Sequence, residues 1–116
     1  MKKKKLNLPT DLAKQIEKMV ETDSRDPHAF AIILEGDSMA PAFVAGDVVV
    51  FTPKAKLEPG DFAIVKLKDN RVMFKRWQPD GDKVRLLSVN ENYGPLEFRL
   101  EEVLFAYRAY EVKRKL

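Results

Sequence analysis

Cysteine is absent from this chain of 116 residues. Disulfide bonds and thiolate zinc sites are therefore excluded, and a reducing compartment is compatible with the sequence. No run of about 20 apolar residues, the length that crosses a bilayer, is present. The basic start is followed by Leu6-Asn7-Leu8-Pro9 rather than by the apolar block of a signal peptide. We therefore expect a soluble, cytoplasmic protein that does not bind membranes.

Histidine is nearly absent as well, because His28 is the only one. A histidine-based catalytic triad would need this residue, but no carboxylates near it suggest an orienting partner. We interpret His28 as a loop residue beside Pro27. The histidine and the acidic residues also show no spacing typical of metal ligands. We expect neither a metal ion nor another cofactor.

A strong net charge is lacking too, since the formal sum is only +3. Basic residues gather at the two ends, in Lys2–Lys5 and in Lys113-Arg114-Lys115. Lysines gain affinity for phosphate by releasing counterions, so one interpretation is a contact with nucleic acid or another anionic surface. The other interpretation, favoured by the terminal positions, is that both ends are solvated and disordered.

A chain of this length forms one domain with a modest core. Near its start Thr10 is a candidate N-cap, and the spacing that follows predicts a short amphipathic helix over about residues 10–21. The polar stretch Glu21–Pro27 is predicted to be a linker. We therefore divide the chain into a tail, helix and linker (1–28) and a folded domain (29–116). The apolar stripe of the helix consists of Leu12, Ile16, Met19 and Val20.

From Ala29 onward, short segments rich in Val, Ile and aromatic residues alternate with turn signals, a pattern typical of β-strands. Asp69-Asn70 and Asp80-Gly81 are interpreted as hairpin turns, and residues 90–95 as a longer connecting loop. We expect a mainly β fold, a strongly bent sheet or partly open β-barrel with one short N-terminal helix. The predicted strands are Phe30–Leu34, Asp47–Phe51, Phe62–Leu67, Arg71–Trp77, Lys83–Val89 and Val103–Val112.

Lys75 lies inside one of these apolar strands. Successive strand side chains point to opposite faces, so Lys75 shares a face with Met73 and Trp77. An ammonium group held between two large apolar side chains loses hydration, which favours the neutral form and makes the lysine a usable general base. The alternative is that Lys75 extends from a sheet edge into water, as most strand lysines do.

Ser38 lies in a glycine-started bend, Glu35-Gly36-Asp37-Ser38-Met39-Ala40-Pro41. On its own, Gly-Asp-Ser is ordinary turn composition, and the serine would be a turn hydroxyl. A serine becomes a nucleophile when a neighbouring base takes its proton, and a buried, neutral Lys75 is such a base. The order of segments favours this pairing, because Gly46-Asp47 and Gly60-Asp61 each open an apolar strand before Lys75-Arg76 follows.

This series, over roughly residues 29–112, resembles the serine-lysine peptidase domain of the LexA repressor family, which includes lambda-type phage repressors and UmuD proteins. The resemblance implies a fold of the LexA C-terminal domain type and a latent, self-cleaving peptidase. In such a protein Ser38 attacks a peptide bond in the segment N-terminal to the domain and Lys75 takes the hydroxyl proton. Backbone amides of Ser38 and Asp37 would hold the oxyanion.

Three further residues match the motif of that family. Gly36 starts the bend, Met39 is expected to fill apolar space, and Pro41 is expected to fix the chain after the bend. The resemblance also implies a homodimer, a role in SOS-type stress responses or phage-type transcription regulation, and a RecA filament as the trigger of cleavage.

The sequence departs from the family in two ways. Family members cut themselves between alanine and glycine or between cysteine and glycine upstream of the serine, and no such pair precedes Ser38. The single Ala-Gly pair, Ala45-Gly46, lies downstream at a strand entrance. Residues 1–28 are also too few for a three-helix DNA-reading domain, so we expect no operator recognition by these residues.

Two hypotheses therefore stay open. In the first, the chain is a serine-lysine peptidase whose substrate segment has been removed, or whose cut lies at another sequence or in another molecule. In the second, the fold is retained without catalysis as a module for dimerisation or partner binding, with the apolar segment Leu104–Val112 as its contact surface.

Overall fold

The computed structural model describes residues 25–114 and, for residues 4–7 and 19–22, the backbone. Almost all regular structure in these residues is extended, which confirms the mainly β prediction. A single turn of 3-10 helix spans Leu100–Glu102, and no helix among the described residues is long and apolar enough to cross a membrane. The strands are β1 (Lys4–Asn7), β2 (Met19–Thr22), β3 (Phe30–Ile33), β4 (Val48–Thr52), β5 (Phe62–Leu67), β6 (Val72–Asp80), β7 (Lys83–Leu87), β8 (Leu96–Arg99) and β9 (Val103–Lys113).

Seven of these strands form one open antiparallel sheet in the order β3-β4-β9-β5-β6-β7-β8. The strands β1 and β2 pair with each other in a separate antiparallel ladder. The final strand, β9, is inserted between β4 and β5, so the last long segment of the sequence lies in the middle of the sheet. The sheet curves, because β3 and β6 are not neighbours in it and yet line one cavity.

The core is built from β-branched and aromatic residues of the central strands. All five residues of β4 are buried, as are four of the six residues of β5. One face of the sheet buries a cluster around Phe51 and Ile64, and the other a cluster around Trp77 and Leu86. Each such side chain stabilises the fold by about 1.5–3 kcal/mol when fully buried. Burial of these two clusters determines on which side of the sheet each neighbouring side chain lies.

The alternation predicted for the lysine-containing strand is confirmed. Met73 and Trp77 belong to the same apolar cluster on one face of β6, and Phe74 lies on the other face in edge contact with Phe43 and Phe51. Lys75 is opposite Ala63 of β5 in the ladder and is only 9% exposed. The interpretation that Lys75 extends from a sheet edge into water is therefore wrong.

Both predicted hairpin turns are confirmed. Asn70 adopts a left-handed φ of 75° in the β5–β6 connection, a conformation that asparagine tolerates better than most residues. The β6–β7 connection consists of two residues, Gly81 and Asp82, because Asp80 pairs with Lys83. A two-residue connection pins the register of the whole hairpin.

Three local predictions differ from the structure. Met19–Thr22 is strand β2, paired with Lys4–Asn7, so the predicted helix does not reach residue 21; its residues 10–18 lie outside the described part of the chain. The same pairing shows that Lys4 and Lys5 are in a strand rather than in a disordered tail. Leu96–Arg99 is a strand that was not predicted, formed because β7 offers it a ladder.

Candidate functional site

Ser38 lies on the loop that follows β3. Gly36 has a φ of 76°, a left-handed conformation that glycine adopts without strain and that turns the chain toward Ser38. The loop is closed by two backbone hydrogen bonds, from Ala40 N–H to the Asp37 carbonyl at 3.0 Å and from Phe43 N–H to the Met39 carbonyl at 2.9 Å. Met39 is buried, as its expected packing role requires. Pro41 follows a cis peptide bond within this bend.

Lys75 approaches the same region from β6. Its Nζ donates a hydrogen bond to Ser88 Oγ at 2.7 Å and lies 5.8 Å from the centre of the Tyr93 ring. Burial lowers the pKa of the lysine below its ordinary value of 10.5, because the ammonium form loses hydration. No ion pair formed by residues 25–114 includes Lys75. The side chain is therefore biased toward the neutral amine that a general base needs.

Ser88 was missed by the sequence analysis, although a signal for it exists. The short turn pairs Asp80 with Lys83. From that pair the ladder continues, residue by residue, to the pair of Arg76 and Leu87. One further step along both strands brings Lys75 opposite Ser88. Extending the hairpin register from its turn would have identified the hydroxyl as a partner of the lysine.

Ser38 and Lys75 line one cavity of about 390 Å³. Most of the residues that line it are apolar, among them Ile32 of β3, Phe43 of the loop and Phe74 of β6. Among the described contacts, Lys75 donates to Ser88 and no hydrogen bond joins it to Ser38. The structure thus brings the two predicted catalytic residues to the same cavity.

The loop at residues 90–93 contacts the Ser38 loop directly. Asn90 N–H donates to the Ser38 carbonyl at 2.9 Å, and Asn90 Nδ2 donates to the Asp37 carbonyl at 3.1 Å. The Tyr93 hydroxyl donates to the Asp37 carboxylate at 2.5 Å, and this acceptor raises the pKa of the tyrosine. The region interpreted from sequence as a connecting loop is therefore also a support of the Ser38 loop.

Backbone N–H groups remain available around Ser38. Among residues 25–114, neither the N–H of Ser38 nor that of Met39 donates to a protein acceptor. Backbone donors next to a nucleophile are the usual means of holding an oxyanion. The N–H of Asp37, which was predicted to contribute to the oxyanion site, likewise donates to no acceptor among residues 25–114, while the carboxylate and carbonyl of Asp37 hold the loop.

An ion pair between the buried Asp47 and the partly exposed Arg114 closes the far end of the Ser38 loop. Asp47 is only 1% exposed, and Arg114 donates to both of its carboxylate oxygens at 2.8 Å. Arg114 also donates to the Ala42 carbonyl at 3.3 Å, and Asp47 accepts from Val44 N–H at 2.9 Å. The hydrogen bonds from Arg114 lower the pKa of Asp47, so the carboxylate stays charged.

The other residues singled out from the sequence lie away from this cavity. His28 is exposed, in a turn where its N–H donates to Asp26 Oδ1 at 2.8 Å, which agrees with its interpretation as a loop residue. Gly46 of the Ala-Gly pair has a φ of 92° and donates to the Leu34 carbonyl in the turn before β4. The part of the chain that the structure describes contains no group of three or more His, Cys, Asp or Glu side chains able to hold a metal ion.

Comparison with known proteins agrees with this geometry. The family model described as Peptidase S24-like matches residues 4–105. A LexA repressor of Geobacillus sp. (strain WCH70) is 31% identical over 90 residues, which cover 73% of this chain and 44% of the relative. A LexA repressor of Desulfatibacillum aliphaticivorans is 34% identical over 77 residues, which cover 66% and 37%. The chain thus spans less than half the length of these relatives, and it belongs to the Peptidase S24-like family.

Proposed function

We propose that this chain is a serine-lysine peptidase domain in which Ser38 is the nucleophile and Lys75 the general base. The observation that carries the proposal is that a buried lysine, biased toward its neutral form, lines the same cavity as a serine in a glycine-started loop. Neither residue is unusual alone. Together, beside free backbone donors, they supply the nucleophile, the base and the oxyanion site that peptide hydrolysis needs.

The reaction proceeds in two balanced steps. Ser38 Oγ attacks the carbonyl carbon of the peptide, and its proton passes to the Lys75 amine. The C–N bond then breaks as Lys75 returns this proton to the leaving nitrogen, which leaves an acyl ester on Ser38. Water attacks the ester while Lys75 takes its proton, and the bond to Ser38 Oγ breaks as that proton is returned to the serine.

The strand edges beside the cavity favour an extended peptide as the substrate. The strand β3, which borders it, is at the edge of the seven-stranded sheet. On the other side, β7 pairs with β6 only from Arg76 onward, so Val72–Lys75 has a ladder partner only in β5. Backbone groups at such edges bind an added strand by main-chain hydrogen bonds. The apolar lining would then accept the side chains of that strand.

We infer that the output is a regulated cut in a segment that precedes the domain, in the same molecule or in another copy. The relatives named LexA repressor favour a regulator of transcription or a stress-response protein, and a RecA-type filament would be the trigger. No Ala-Gly or Cys-Gly pair lies in residues 1–37, so a cut within these residues would fall at another sequence, and a cut at the usual pair would fall in a removed segment or in another molecule.

A second candidate function is a dimerisation module without catalysis. Leu104, Tyr110 and Val112 of β9 are 56%, 46% and 43% exposed, which is high for large apolar residues. Because β9 is in the middle of the sheet, it offers a face rather than an edge to a second copy. Both functions are compatible in one protein, so the test must separate them.

The test measures intact mass over time at about pH 7 to pH 10 for the chain and for Ser38→Ala and Lys75→Ala. A second version with an added N-terminal segment containing Ala-Gly is measured alongside. Fragments that depend on both residues and grow with pH support the peptidase. Unchanged mass in both versions, together with dimers that Leu104→Asp abolishes, favours the module.

A further inference from the structure

One residue holds both peptide groups that flank Ser38. The Nδ2 of Asn90 donates to the Asp37 carbonyl at 3.1 Å, and the N–H of Asn90 donates to the Ser38 carbonyl at 2.9 Å. The Asp37 carbonyl accepts a second bond, from Ala40 N–H at 3.0 Å. Asn90 is the contact that comes from outside the loop, across more than fifty residues of sequence.

These two peptide groups carry the N–H donors of Ser38 and Met39. A trans peptide group is planar, with its C=O and N–H pointing in opposite directions. A hydrogen bond that fixes the Asp37 carbonyl therefore fixes the direction of the Ser38 N–H. In the same way, the bond to the Ser38 carbonyl fixes the direction of the Met39 N–H. Among the described residues both donors lack a protein acceptor, so both are free to bind a substrate oxygen.

Asn90 is held in place by its own turn. Its Oδ1 accepts from Asn92 N–H at 2.9 Å, which orients the side-chain amide so that Nδ2 faces Asp37. Its carbonyl accepts from Tyr93 N–H at 3.1 Å, and the Tyr93 hydroxyl reaches the Asp37 carboxylate. The same turn therefore contacts the Ser38 loop through two side chains and one backbone group.

We propose that Asn90 is the positioning residue of the oxyanion site, acting through the peptide groups on either side of Ser38. The inference rests on the proposed function, because an oxyanion forms only if Ser38 attacks a carbonyl or a similar centre. Loss of one oxyanion donor costs about 10²- to 10³-fold in rate, and a misdirected donor costs part of that. We expect about a tenfold loss when the Asn90 side-chain donor is removed.

The test measures labelling of Ser38 by a fluorophosphonate probe, in which Ser38 Oγ displaces fluoride from phosphorus and Lys75 takes the hydroxyl proton. Rates are measured against probe concentration for the chain, Asn90→Asp and Asn92→Asp. Asn90→Asp keeps the size and the acceptor for Asn92 N–H but loses the donor. We expect its limiting rate to fall about tenfold with an unchanged half-saturating concentration. Asn92→Asp adds the same charge two residues along and is expected to react like the wild type.

The two proposals fail differently in this experiment. An unchanged limiting rate in Asn90→Asp, or an equal fall in Asn92→Asp, overturns the role of Asn90 and leaves the proposed function standing. Wild-type labelling no faster than that of Lys75→Ala overturns the proposed function, and the catalytic role of Asn90 with it.

Amide spectra separate a misdirected loop from an unfolded variant. In Asn90→Asp the Ser38 and Met39 signals are expected to shift at pH 7, while signals of the buried strand β5 stay in place. Below about pH 4 the introduced carboxyl is protonated and regains a donor toward the Asp37 carbonyl. The Ser38 signal is then expected to move back toward its wild-type position. Ser38 and Met39 signals that never move contradict the inference.

Discussion

Lys75 and Asp47 are both buried and ionisable, but they differ in what surrounds them. Asp47 faces the guanidinium of Arg114, which donates to both carboxylate oxygens, and its pKa is lowered so that it stays charged. Lys75 faces a tyrosine ring and the hydroxyl of Ser88 instead of a counter-charge, and burial lowers its pKa, which shifts the equilibrium toward the neutral amine. The same direction of shift has opposite meanings for an acid and a base.

On the proposed function, the comparison separates a residue kept for stability from one kept for reactivity. A buried carboxylate with a bidentate partner and a backbone donor has its desolvation offset by hydrogen bonds. A buried ammonium without a counter-charge destabilises the fold. Proteins keep such a lysine where function needs its neutral amine. Both sites border the loop of residues 34–47, so one end of that loop is anchored by Arg114 and the other carries the proposed nucleophile.

The largest effect is expected from Lys75→Met, which replaces the buried amine by an uncharged side chain of similar length. Removal of the base should lower Ser38 labelling by about 10³-fold. Because the methionine needs no hydration, unfolding at pH 7 should also cost about 1 kcal/mol more than in the wild type. Probe kinetics and urea unfolding measure the two changes. A variant that is both inactive and less stable would contradict the view that the lysine is held at a cost.

The next effect is expected at the anchored end. Asp47→Asn keeps an acceptor for Val44 but loses the charge, and it should destabilise the fold by about 2 kcal/mol. Arg114→Ala leaves the buried carboxylate without its partner and should lower the Tm further. Arg108→Ala, which removes a longer contact of 3.5 Å between the exposed Arg108 and the half-buried Asp61, is the control and should change the Tm less. Thermal unfolding of the three variants tests this order.

The wild-type contribution of Asp47 has a defined pH dependence. Its folded pKa lies below the ordinary value of 3.8. The stabilisation is therefore present above 3.8 and is lost as the pH falls through the folded value. In Asp47→Asn this loss of stability at acid pH should be absent, so the Tm difference between the wild type and the variant should shrink as the pH falls. A Tm difference that is constant from pH 7 to pH 2 would contradict the pH dependence assigned to Asp47.

A smaller, graded effect is expected from pH at the reactive end. The labelling rate should rise about tenfold per pH unit until the Lys75 amine is neutral. Because the folded pKa of Lys75 is below 10.5, the rate should level off at a pH below 10.5. Between the folded value and 10.5 the unfolded chain binds the extra proton, so stability rises with pH there. The Tm difference between wild type and Lys75→Met should shrink in this window. A rate that follows the ordinary lysine value would contradict the burial argument.

The smallest effect is expected from Ser88→Ala. The hydroxyl orients the lysine amine but does not reach the substrate in the proposed step. Its loss should lower the limiting labelling rate about threefold to tenfold by leaving the amine less well placed. Ser88→Thr keeps a hydroxyl and should recover most of the rate. An equal loss in both variants would mean that the site needs the volume of serine and not its hydrogen bond.

Much of the sheet could be predicted from the sequence because its signals are local. Phe62–Leu67 has the predicted bounds, and the alternation around Lys75 follows from the period of a strand. Leu96–Arg99 was missed because a short segment after Gly94-Pro95 has no strand pattern of its own and depends on β7. The stripe predicted as helical ends in Met19–Thr22, where the pairing with Lys4–Asn7 decides the conformation.

The candidate site was predictable in its residues and not in its supports. Ser38 and Lys75 were found through a motif and a burial argument. Asn90 and Arg114 hold the Ser38 loop through contacts with residues far away in the sequence, and nothing local to either residue indicates such a contact. Ser88 is intermediate, because the register of the short β6–β7 hairpin extends to the pair next to Lys75 and Ser88 and could be read from the turn.

Ala63, the cross-strand neighbour of Lys75, gives the site a further property. Opposed side chains of an antiparallel pair lie about 5 Å apart, so the residue at this position decides what the stem of the lysine contacts. Ala63 is fully buried and contributes a single methyl group. In the proposed reaction the fraction of neutral amine therefore depends in part on a residue that has no functional group. An oxygen added at this alanine would give the ammonium form a second hydroxyl acceptor beside Ser88 Oγ, so less of the amine would be neutral at pH 7.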